Sequence, residues 1–409
     1  MNGIFSSLHN YYVLHCIIRQ EQNSCLEMKY PISTAYLIEK RNTFANMPTC
    51  LSHLRKCLRF SELGCCLAHK FIDFLRNLPK IELHAHLNGS LRIESLRELE
   101  SEIYDVRTPK FLKICQKYKE FDEQTLEHCF QKFKFSHELT ATRSGLQFAT
   151  LCVIRDFAAD NVAYLELRTT PKANAEMSKL DYLRCVLETI EQVRKTQPDI
   201  VVKLLPSIDR AQTPAAAEET LKCVLQLRGE YPSIIVGLDF SGNPACGQFA
   251  SFTKVLATAR GLGLRLALHC AEIENSSEIA EMLEFGMDRC GHGTFLNKAH
   301  MQVLGQRNIA VECCLTSNIK CGTVSRYADH HLKHLLEINS DVVLCTDDSG
   351  VFDTTLTHEF SIAAQTFRLS SADILKLSMN AMKHTFASED EKSLLRKKLQ
   401  QYFDENAIC

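Results

Sequence analysis

Eight short apolar runs rich in β-forming residues recur along the chain from residue 80 onward, and polar residues follow the apolar part of each run. Their length and composition predict eight β-strands. No other feature of the sequence restricts the possible folds as strongly. The runs cover residues 80–86, 163–169, 202–209, 234–240, 265–269, 289–292, 309–315 and 342–346.

Most segments between these runs have helical periodicity, with apolar residues three and four positions apart, as in AEETLKCVLQLRGE, GQFASFTKVLATARGLG and SSEIAEMLEFG. Alternating strands and helices predict parallel pairing, and eight such units over about 270 residues predict an α/β fold, the TIM (β/α)8 barrel. An open doubly wound sheet is the structural alternative. In a barrel the polar residues after the strands meet at one rim, where catalytic groups lie.

The predicted strands place a barrel domain at residues 71–409 and leave residues 1–70 as an N-terminal extension whose order the sequence does not decide. The longest insertion, about residues 90–160, contains LEHCFQKFKFSHEL and predicts helices over the barrel mouth between strands 1 and 2. These helices are either a substrate lid or a hydrophobic cap. DILKLSMNAMKHTF and EDEKSLLRKKLQQYF predict closing helices at the C-terminus.

Composition and charge indicate a soluble globular protein rather than a nucleic-acid or membrane protein. The chain is 45% hydrophobic and 23% charged, with a formal net charge of -2. No apolar stretch approaches the roughly 18 residues of a membrane span, and the first 20 residues lack a secretory signal. We expect a cytoplasmic monomer. The 19 cysteines are odd in number and often lie inside apolar runs, which predicts reduced thiols.

Four residues of types that bind zinc lie at the ends of predicted strands: His84, His86, His269 and Asp347. The H-x-H spacing puts the first two imidazoles on the same side of a strand. H-x-H alone is weak evidence, but its convergence with the other two ligands at a barrel rim predicts a site for one Zn²⁺ per chain. Three nitrogens and one oxygen leave a position for water, whose pKa zinc lowers.

Three further residues near the strand ends are candidates for catalysis. Glu272 follows His269 by three residues, and burial would allow it to donate a proton; the alternative is an N-cap or first-turn glutamate that stabilises the next helix. His292 lies between two glycines, where it would orient or deprotonate water unless it is structural. Asp348 adjoins Asp347, an arrangement that a cation or a shared proton relieves, while helix capping is the alternative. A protonated Asp348 would donate a hydrogen bond to a ring nitrogen.

The motifs LPKIELHAHLNGS, LALHCAEI, RCGHGTFL, LTSN and CTDDSGVF resemble the adenosine deaminase family over about residues 76–400. The longer forms of these motifs are most similar to the adenosine deaminase-like branch of the family, the N6-methyl-AMP deaminases. The resemblance implies hydrolysis at the purine C6, converting N6-methyl-AMP to IMP and methylamine. It also implies roles by position: zinc ligands His84, His86, His269 and Asp347, ring proton donor Glu272, water-positioning His292 and ring contact Asp348.

The resemblance further implies how a purine nucleoside monophosphate is bound. Gly242 would approach the base through its backbone, as the lack of a side chain permits. His86 and Asp348 also face the substrate, and the groups around the ribose and phosphate would be Asn88, His137, Thr169, Thr170, Pro171, Lys172 and Asp209.

Two positions depart from the pattern of the branch. Lys172 stands where arginine is common, which keeps the charge but loses bidentate geometry. Asn243 stands where aspartate is expected. A solvated loop cation is the alternative for Lys172.

Three other functions stay open at this point. A plain adenosine deaminase, acting on the nucleoside, would need neither Lys172 nor His137. A two-metal barrel hydrolase would use a bridging lysine that the sequence does not reveal. A non-catalytic nucleotide-binding relative would keep the barrel without turnover.

Overall fold

The computed structural model describes residues 70–103, 133 and 136–406, and in them a barrel of eight strands. The strands pair in parallel and in sequence order within one sheet. A parallel bridge between Ala85 and Asp347 joins the first strand to the segment after the last, so the sheet nearly closes. The strands are β1 (Lys80–His86), β2 (Val162–Thr169), β3 (Val201–Asp209), β4 (Gly237–Ser241), β5 (Arg265–Cys270), β6 (Arg289–His292), β7 (Ala310–Cys313) and β8 (Val342–Leu344).

Helices occupy the connections between the strands. The predicted TIM barrel, with extra helices between β1 and β2 and at the C-terminus, is confirmed, and the open doubly wound sheet is wrong. Within the described ranges the helices are α1 (Ile93–Ile103), α2 (Arg143–Ala159), α3 (Lys179–Thr196), α4 (Pro214–Glu230), α5 (Thr253–Gly261), α6 (Ser276–Phe285), α7 (Lys298–Arg307), α8 (Leu315–Lys320), α9 (Leu332–Glu337), α10 (Leu356–Phe367), α11 (Ser371–His384) and α12 (Glu389–Asn406), with shorter helical segments at 70–77, 136–139, Phe249–Phe252 and Tyr327–Asp329.

Local sequence explains where the helices begin. Ser178 and Asp181 form a capping box at the start of α3, each side chain accepting a hydrogen bond from the other residue's backbone N–H. Thr213 caps α4, whose first residue is a proline that needs no helical N–H partner. The side chain of Asn275 caps α6. Because parallel strands are covered on both sides, every residue of β2 and β4 is buried.

Several strand boundaries differ from the sequence prediction by one residue, and three differ by two or more: the start of β4 and the ends of β7 and β8. β4 begins at Gly237 rather than at residue 234, because the amide of Ile234 donates to the carbonyl of Tyr231 in a turn. β7 ends at Cys313, because the following polar segment forms α8, with the amide of Asn318 donating to the carbonyl of Cys314. Polar residues that follow a strand can continue as a helix, and hydrophobic periodicity does not reveal that change.

Some predictions concern parts of the chain that the structure does not describe. The extension at residues 1–70, except for Lys70, and most of LEHCFQKFKFSHEL lie outside the described residues. The cysteines that are described are free thiols. None of the described helices combines the length and the apolar character that a membrane span requires.

The barrel interior is charged, whereas the space between strands and helices is aliphatic. Leu83 and Leu165 are fully buried in the aliphatic core. The charged interior residues are also fully buried, and they are Glu82, Glu166, Arg168, Asp239, Arg289 and Glu312. Buried charges are stable only when they are paired or hydrogen-bonded. Arg168 and Arg289 pair with Asp239, Glu166 and Glu312 in one network of ion pairs. Glu82 instead accepts hydrogen bonds from His84 and Thr346.

Candidate active site

A cavity of about 350 Å³ opens at the carboxyl ends of the strands. This volume suits a small molecule. Two predicted site residues are not part of its wall, namely His84, which is fully buried, and Pro171, which is also buried. The wall includes all the others: His86, Asn88, His137, Thr169, Thr170, Lys172, Asp209, Gly242, His269, Glu272, His292, Asp347 and Asp348.

The three histidines and the aspartate predicted as metal ligands meet at one end of the cavity. The Nε2 atom of His86 lies 3.2 Å from Nε2 of His84 and 3.2 Å from Nε2 of His269. Oδ1 of Asp347 lies 3.3 Å from Nε2 of His84 and 3.4 Å from Nε2 of His86. The four ligand atoms all lie within 4.8 Å of one another. Such crowding of ring nitrogens and a carboxylate fits a shared cation.

The seam of the barrel holds Asp347 in place. The amide of His86 donates to the carbonyl of Asp347 over 2.9 Å, and the amide of Asp347 donates to the carbonyl of His84 over 2.8 Å. Asp347 has a φ of 63°, a left-handed conformation that is costly for a residue with a side chain. The two flanking hydrogen bonds stabilise this conformation, so the carboxylate is aimed at the histidines before any ligand arrives.

The protonation states of three of the four residues suit a cation. Burial lowers the pKa of His86 to about 3 and lowers that of His269, so both rings are neutral at pH 7. Burial opposes the charged form of Asp347, but contacts with His84, His292 and His86 hold its pKa far below the usual range. Burial also opposes protonation of His84, yet Asp347 and Glu312 raise its pKa to about 9. A metal ion at this site would therefore compete with a proton on His84.

Residues that the sequence analysis did not identify contact the candidate ligands at atoms other than the clustered ligand atoms. Nδ1 of His84 lies 2.8 Å from Oε2 of Glu312, and Nδ1 of His269 lies 3.0 Å from Oδ1 of Asp239. The hydroxyl of Ser317 donates to Oδ2 of Asp347 over 2.7 Å. Such partners fix ring orientation and ligand basicity. Carboxylates inside otherwise apolar strands, as in VECCL, were the signal that could have revealed them, because parallel strands are covered on both faces.

Glu272 and His292 lie side by side next to the ligand cluster. Oε2 of Glu272 is 3.7 Å from Nε2 of His292, which is 4.0 Å from Oδ2 of Asp347. Burial raises the pKa of Glu272 and lowers the pKa of His292 to about 4. Burial thus favours the protonated form of the Glu272 carboxyl and keeps the His292 imidazole neutral. Since Asn275 caps α6, the helix-capping alternative for Glu272 is not supported.

The backbone of His292 also has a strained, left-handed conformation, which a hydrogen bond to its carbonyl stabilises. Its φ is 61°, and its carbonyl accepts a hydrogen bond of 2.8 Å from Nε2 of His331. Like the strain at Asp347, this conformation is stable only where the surrounding contacts support it. His331 was not identified from the sequence.

Two glycines let the chain closely approach carboxylates of the cavity wall. A Cβ atom on Gly89 would lie 1.7 Å from Oδ1 of Asp348, so any other residue would displace that carboxylate from the cavity wall. Gly242 has a φ of 104°, and its Cβ would lie 2.2 Å from Oδ1 of Asp209. At position 242 only glycine both adopts this positive φ without strain and leaves room for the Asp209 carboxylate.

Lys172 and His137 form a pair in the wall of the same cavity. Nζ of Lys172 lies 2.8 Å from Nδ1 of His137. Burial lowers the pKa of Lys172 to about 8, and burial together with the lysine charge lowers the pKa of His137 to about 3. Lys172 is thus a partly buried cation in the cavity rather than the solvated loop cation considered as the alternative.

Amide and hydroxyl groups lie close to this pair. The Asn88 side chain donates to Oγ1 of Thr140 over 2.8 Å and accepts from the Tyr182 hydroxyl over 3.2 Å. Oγ1 of Thr169 lies 2.8 Å from the same tyrosine hydroxyl. Thr140 and Tyr182 were not identified from the sequence, since hydroxyl residues on helical segments carry no distinguishing spacing. Asn243 also lines the cavity, and its Oδ1 accepts from the amide of Ala245.

Comparisons with known proteins agree with this geometry. The family model described as adenosine deaminase matches residues 79–402. The adenosine deaminase-like protein of Drosophila melanogaster is 54% identical over 332 residues, which cover 81% of this chain and 98% of that protein. The N6-methyl-AMP deaminase of Homo sapiens is 40% identical over 335 residues, 80% of this chain and 94% of that protein. The solved structure of Arabidopsis ADAL complexed with IMP matches with a TM-score of 0.74 and 36% identity, covering 82% of this chain and 99% of the other.

Proposed function

The chain belongs to the adenosine deaminase family and is a hydrolytic deaminase that acts on C–N bonds, and we propose that it converts N6-methyl-AMP and water to IMP and methylamine. One observation carries this proposal. A single cavity holds the three-histidine, one-aspartate cluster at one place and the cationic Lys172, paired with His137, at another. The similarity to a human N6-methyl-AMP deaminase and to an Arabidopsis protein bound to IMP supports the same substrate.

We propose that the cluster holds one Zn²⁺ per chain through His84, His86, His269 and Asp347. With zinc–ligand bonds of about 2.0–2.2 Å, ligand atoms that share one zinc ion lie about 3–4 Å apart. The shortest separations in the cluster are 3.2, 3.2, 3.3 and 3.4 Å, so the residues fit such an ion. When bound, the zinc supplies a Lewis acid that activates water at neutral pH.

The remaining chemistry belongs to side chains of this protein. Neutral His292 orients the water and accepts its proton as the oxygen bonds to C6. Glu272, with its pKa raised by burial, donates a proton to N1 and offsets the charge that develops on the ring. Asp348 contacts a ring nitrogen and holds the base in line. The C6–N bond then breaks, and methylamine leaves with the proton that His292 accepted. The remaining proton on the C6 oxygen passes to the Glu272 carboxylate, which forms the C6=O of IMP and restores the acid.

We propose that Lys172 binds the 5′-phosphate of the substrate with help from His137. Its ammonium is a partly buried positive charge in a wall that also contains amide and hydroxyl groups, which suits an anion. Asn88, Thr169 and Thr170 line the same region. Asp209 is proposed to contact the ribose and Gly242 the base, while Pro171 and His86 complete the proposed substrate set.

Product analysis of the purified, zinc-loaded protein tests the proposal. N6-methyl-AMP, AMP, N6-methyladenosine and adenosine are compared at equal concentration, with IMP, inosine and amines separated by mass. We expect N6-methyl-AMP to give the highest kcat/KM, with IMP and methylamine in equal amounts. Faster turnover of adenosine would favour a plain nucleoside deaminase. Nucleotide binding without amine release, with zinc fully loaded, would favour a non-catalytic relative.

A further inference from the structure

One arginine, Arg168, bridges the charged network below the cavity, and the proposed mechanism gives it no role. Arg168 on β2 is fully buried. Its Nη1 donates to Oδ1 of Asp239 over 2.9 Å, and its Nη2 donates to Oε2 of Glu312 over 2.6 Å. The Nη2 atom also donates to the carbonyl of Leu83 over 2.8 Å. One guanidinium thus links carboxylates on β4 and β7 to the backbone of β1.

The two linked carboxylates each contact a different candidate metal ligand. Glu312 lies 2.8 Å from Nδ1 of His84, and Asp239 lies 3.0 Å from Nδ1 of His269. A carboxylate at Nδ1 favours the tautomer that carries its proton there, and Nε2 is then the nitrogen that has a lone pair for a metal. Arg168 therefore contacts both partners that set the orientation and the tautomer of these two rings.

We propose that Arg168 is a positioning residue for the metal site. By bridging Glu312 and Asp239, it fixes the orientation of the His84 ring relative to the His269 ring. The inference rests on the metal site of the proposed function but not on the choice of substrate. The residue type matters, because a planar guanidinium donates to two carboxylates at once and keeps its charge when buried. A lysine ammonium would keep the charge but not the fork that spans both acceptors.

The decisive variant is Arg168→Lys, measured by zinc affinity rather than by turnover. Competition with a chromophoric chelator should show a zinc Kd raised by about 10–100-fold, the usual effect of losing a partner of metal ligands. The absorption spectrum of the Co²⁺-loaded variant should also change, since ring orientation alters the ligand field. A purely structural role would lower Tm without changing either readout.

The matched control is Arg210→Lys. Arg210 is also a buried arginine, and its Nη2 donates to both oxygens of one carboxylate, that of Glu278. The contacts of Glu278 in the described structure include no candidate metal ligand. We expect zinc affinity to change by less than about threefold in this control. A folded Arg168→Lys protein with the zinc affinity and Co²⁺ spectrum of the unchanged chain would overturn the inference.

A second experiment applies if Arg168→Lys does not fold. Asp239→Asn and Glu312→Gln keep the side-chain shapes, and their effects on zinc Kd are measured singly and together. If one guanidinium couples the two carboxylates, the combined effect will differ from the product of the single effects. Independent effects would contradict the bridge. Failure of the unchanged chain to bind zinc would instead refute the metal site of the proposed function, which is a distinguishable result.

Discussion

The metal cluster and the Lys172 region differ in how the chain supports them. The cluster lies on the ends of β1 and β5 and directly after β8, and buried carboxylates contact its ring nitrogens. Lys172 follows β2 in a loop, and its partner His137 lies in the insertion between β1 and β2. Strands position groups more accurately than loops do. Under the proposed function, the reaction therefore depends on the rigid barrel, and the choice of substrate depends on segments that tolerate change.

The two regions also differ in charge. At the cluster a carboxylate with a strongly lowered pKa faces two neutral imidazoles, an environment that attracts a cation. At the other region a partly buried ammonium faces a neutral imidazole, an environment that attracts an anion. A ligand that satisfies both has an anionic group at a distance from its reacting centre, as a nucleoside monophosphate does. Experiments that affect one region alone can test this division.

Removal of the metal should have the largest effect, because it disables the cluster for every substrate. After dialysis against a strong chelator we expect turnover of N6-methyl-AMP and of N6-methyladenosine to fall by at least about 10³-fold. One equivalent of Zn²⁺ per chain should restore both, with a rise in Tm from ligand binding to the folded state. Persistent activity at a metal content far below one ion per chain, measured by atomic emission, would remove the metal from the reaction.

Substitution Glu272→Gln should have the next largest effect. It removes the proton donor but none of the four candidate ligands, so we expect kcat to fall by about 10²–10⁴-fold with zinc content unchanged. The loss should be alike for nucleotide and nucleoside substrates. Steady-state kinetics and metal analysis on the same sample check this, and a near-normal kcat would exclude Glu272 as the acid. Glu274, which is exposed and close in sequence, provides the matched control Glu274→Gln.

The sequence predicted the barrel and its rim well, because hydrophobic periodicity and strand-end polar residues are local signals. His84 and His86 share one strand face by spacing alone, and their meeting with His269 and Asp347 follows from parallel strands in a closed sheet. Prediction of the cluster therefore required only the strand order, not the side-chain packing.

The supporting residues were not predictable in the same way. Whether Arg168 reaches both Asp239 and Glu312 depends on which interior positions lie at one level of the barrel, and that is set by register between distant strands. The left-handed conformation of Asp347 likewise results from the closing seam rather than from any turn residue. These features depend on tertiary context, so local propensity does not reveal them.

Substitution Lys172→Ala should affect only the anion-binding region. A charge-assisted hydrogen bond is worth about 1.5–3 kcal/mol, so we expect kcat/KM for N6-methyl-AMP to fall by about 10–100-fold. The value for N6-methyladenosine should change little. The matched variant Lys172→Arg should retain most nucleotide activity, because it keeps the charge and adds bidentate geometry. Equal losses on both substrates in Lys172→Ala would contradict a phosphate contact.

The pH dependence of nucleotide specificity should give the smallest effect and the sharpest separation of the two regions. Burial lowers the pKa of Lys172 to about 8, so its ammonium is present below that pH and is lost as the pH rises through it. The ratio of kcat/KM for N6-methyl-AMP to that for N6-methyladenosine should therefore fall above about pH 8, by at most about tenfold per pH unit. Taking the ratio cancels titrations at the metal cluster, which both substrates share. In Lys172→Arg the decline should disappear, because a guanidinium keeps its proton throughout this range. If the decline persisted in that variant, the titrating group would lie elsewhere, and Lys172 would lose its assignment as the phosphate-binding cation.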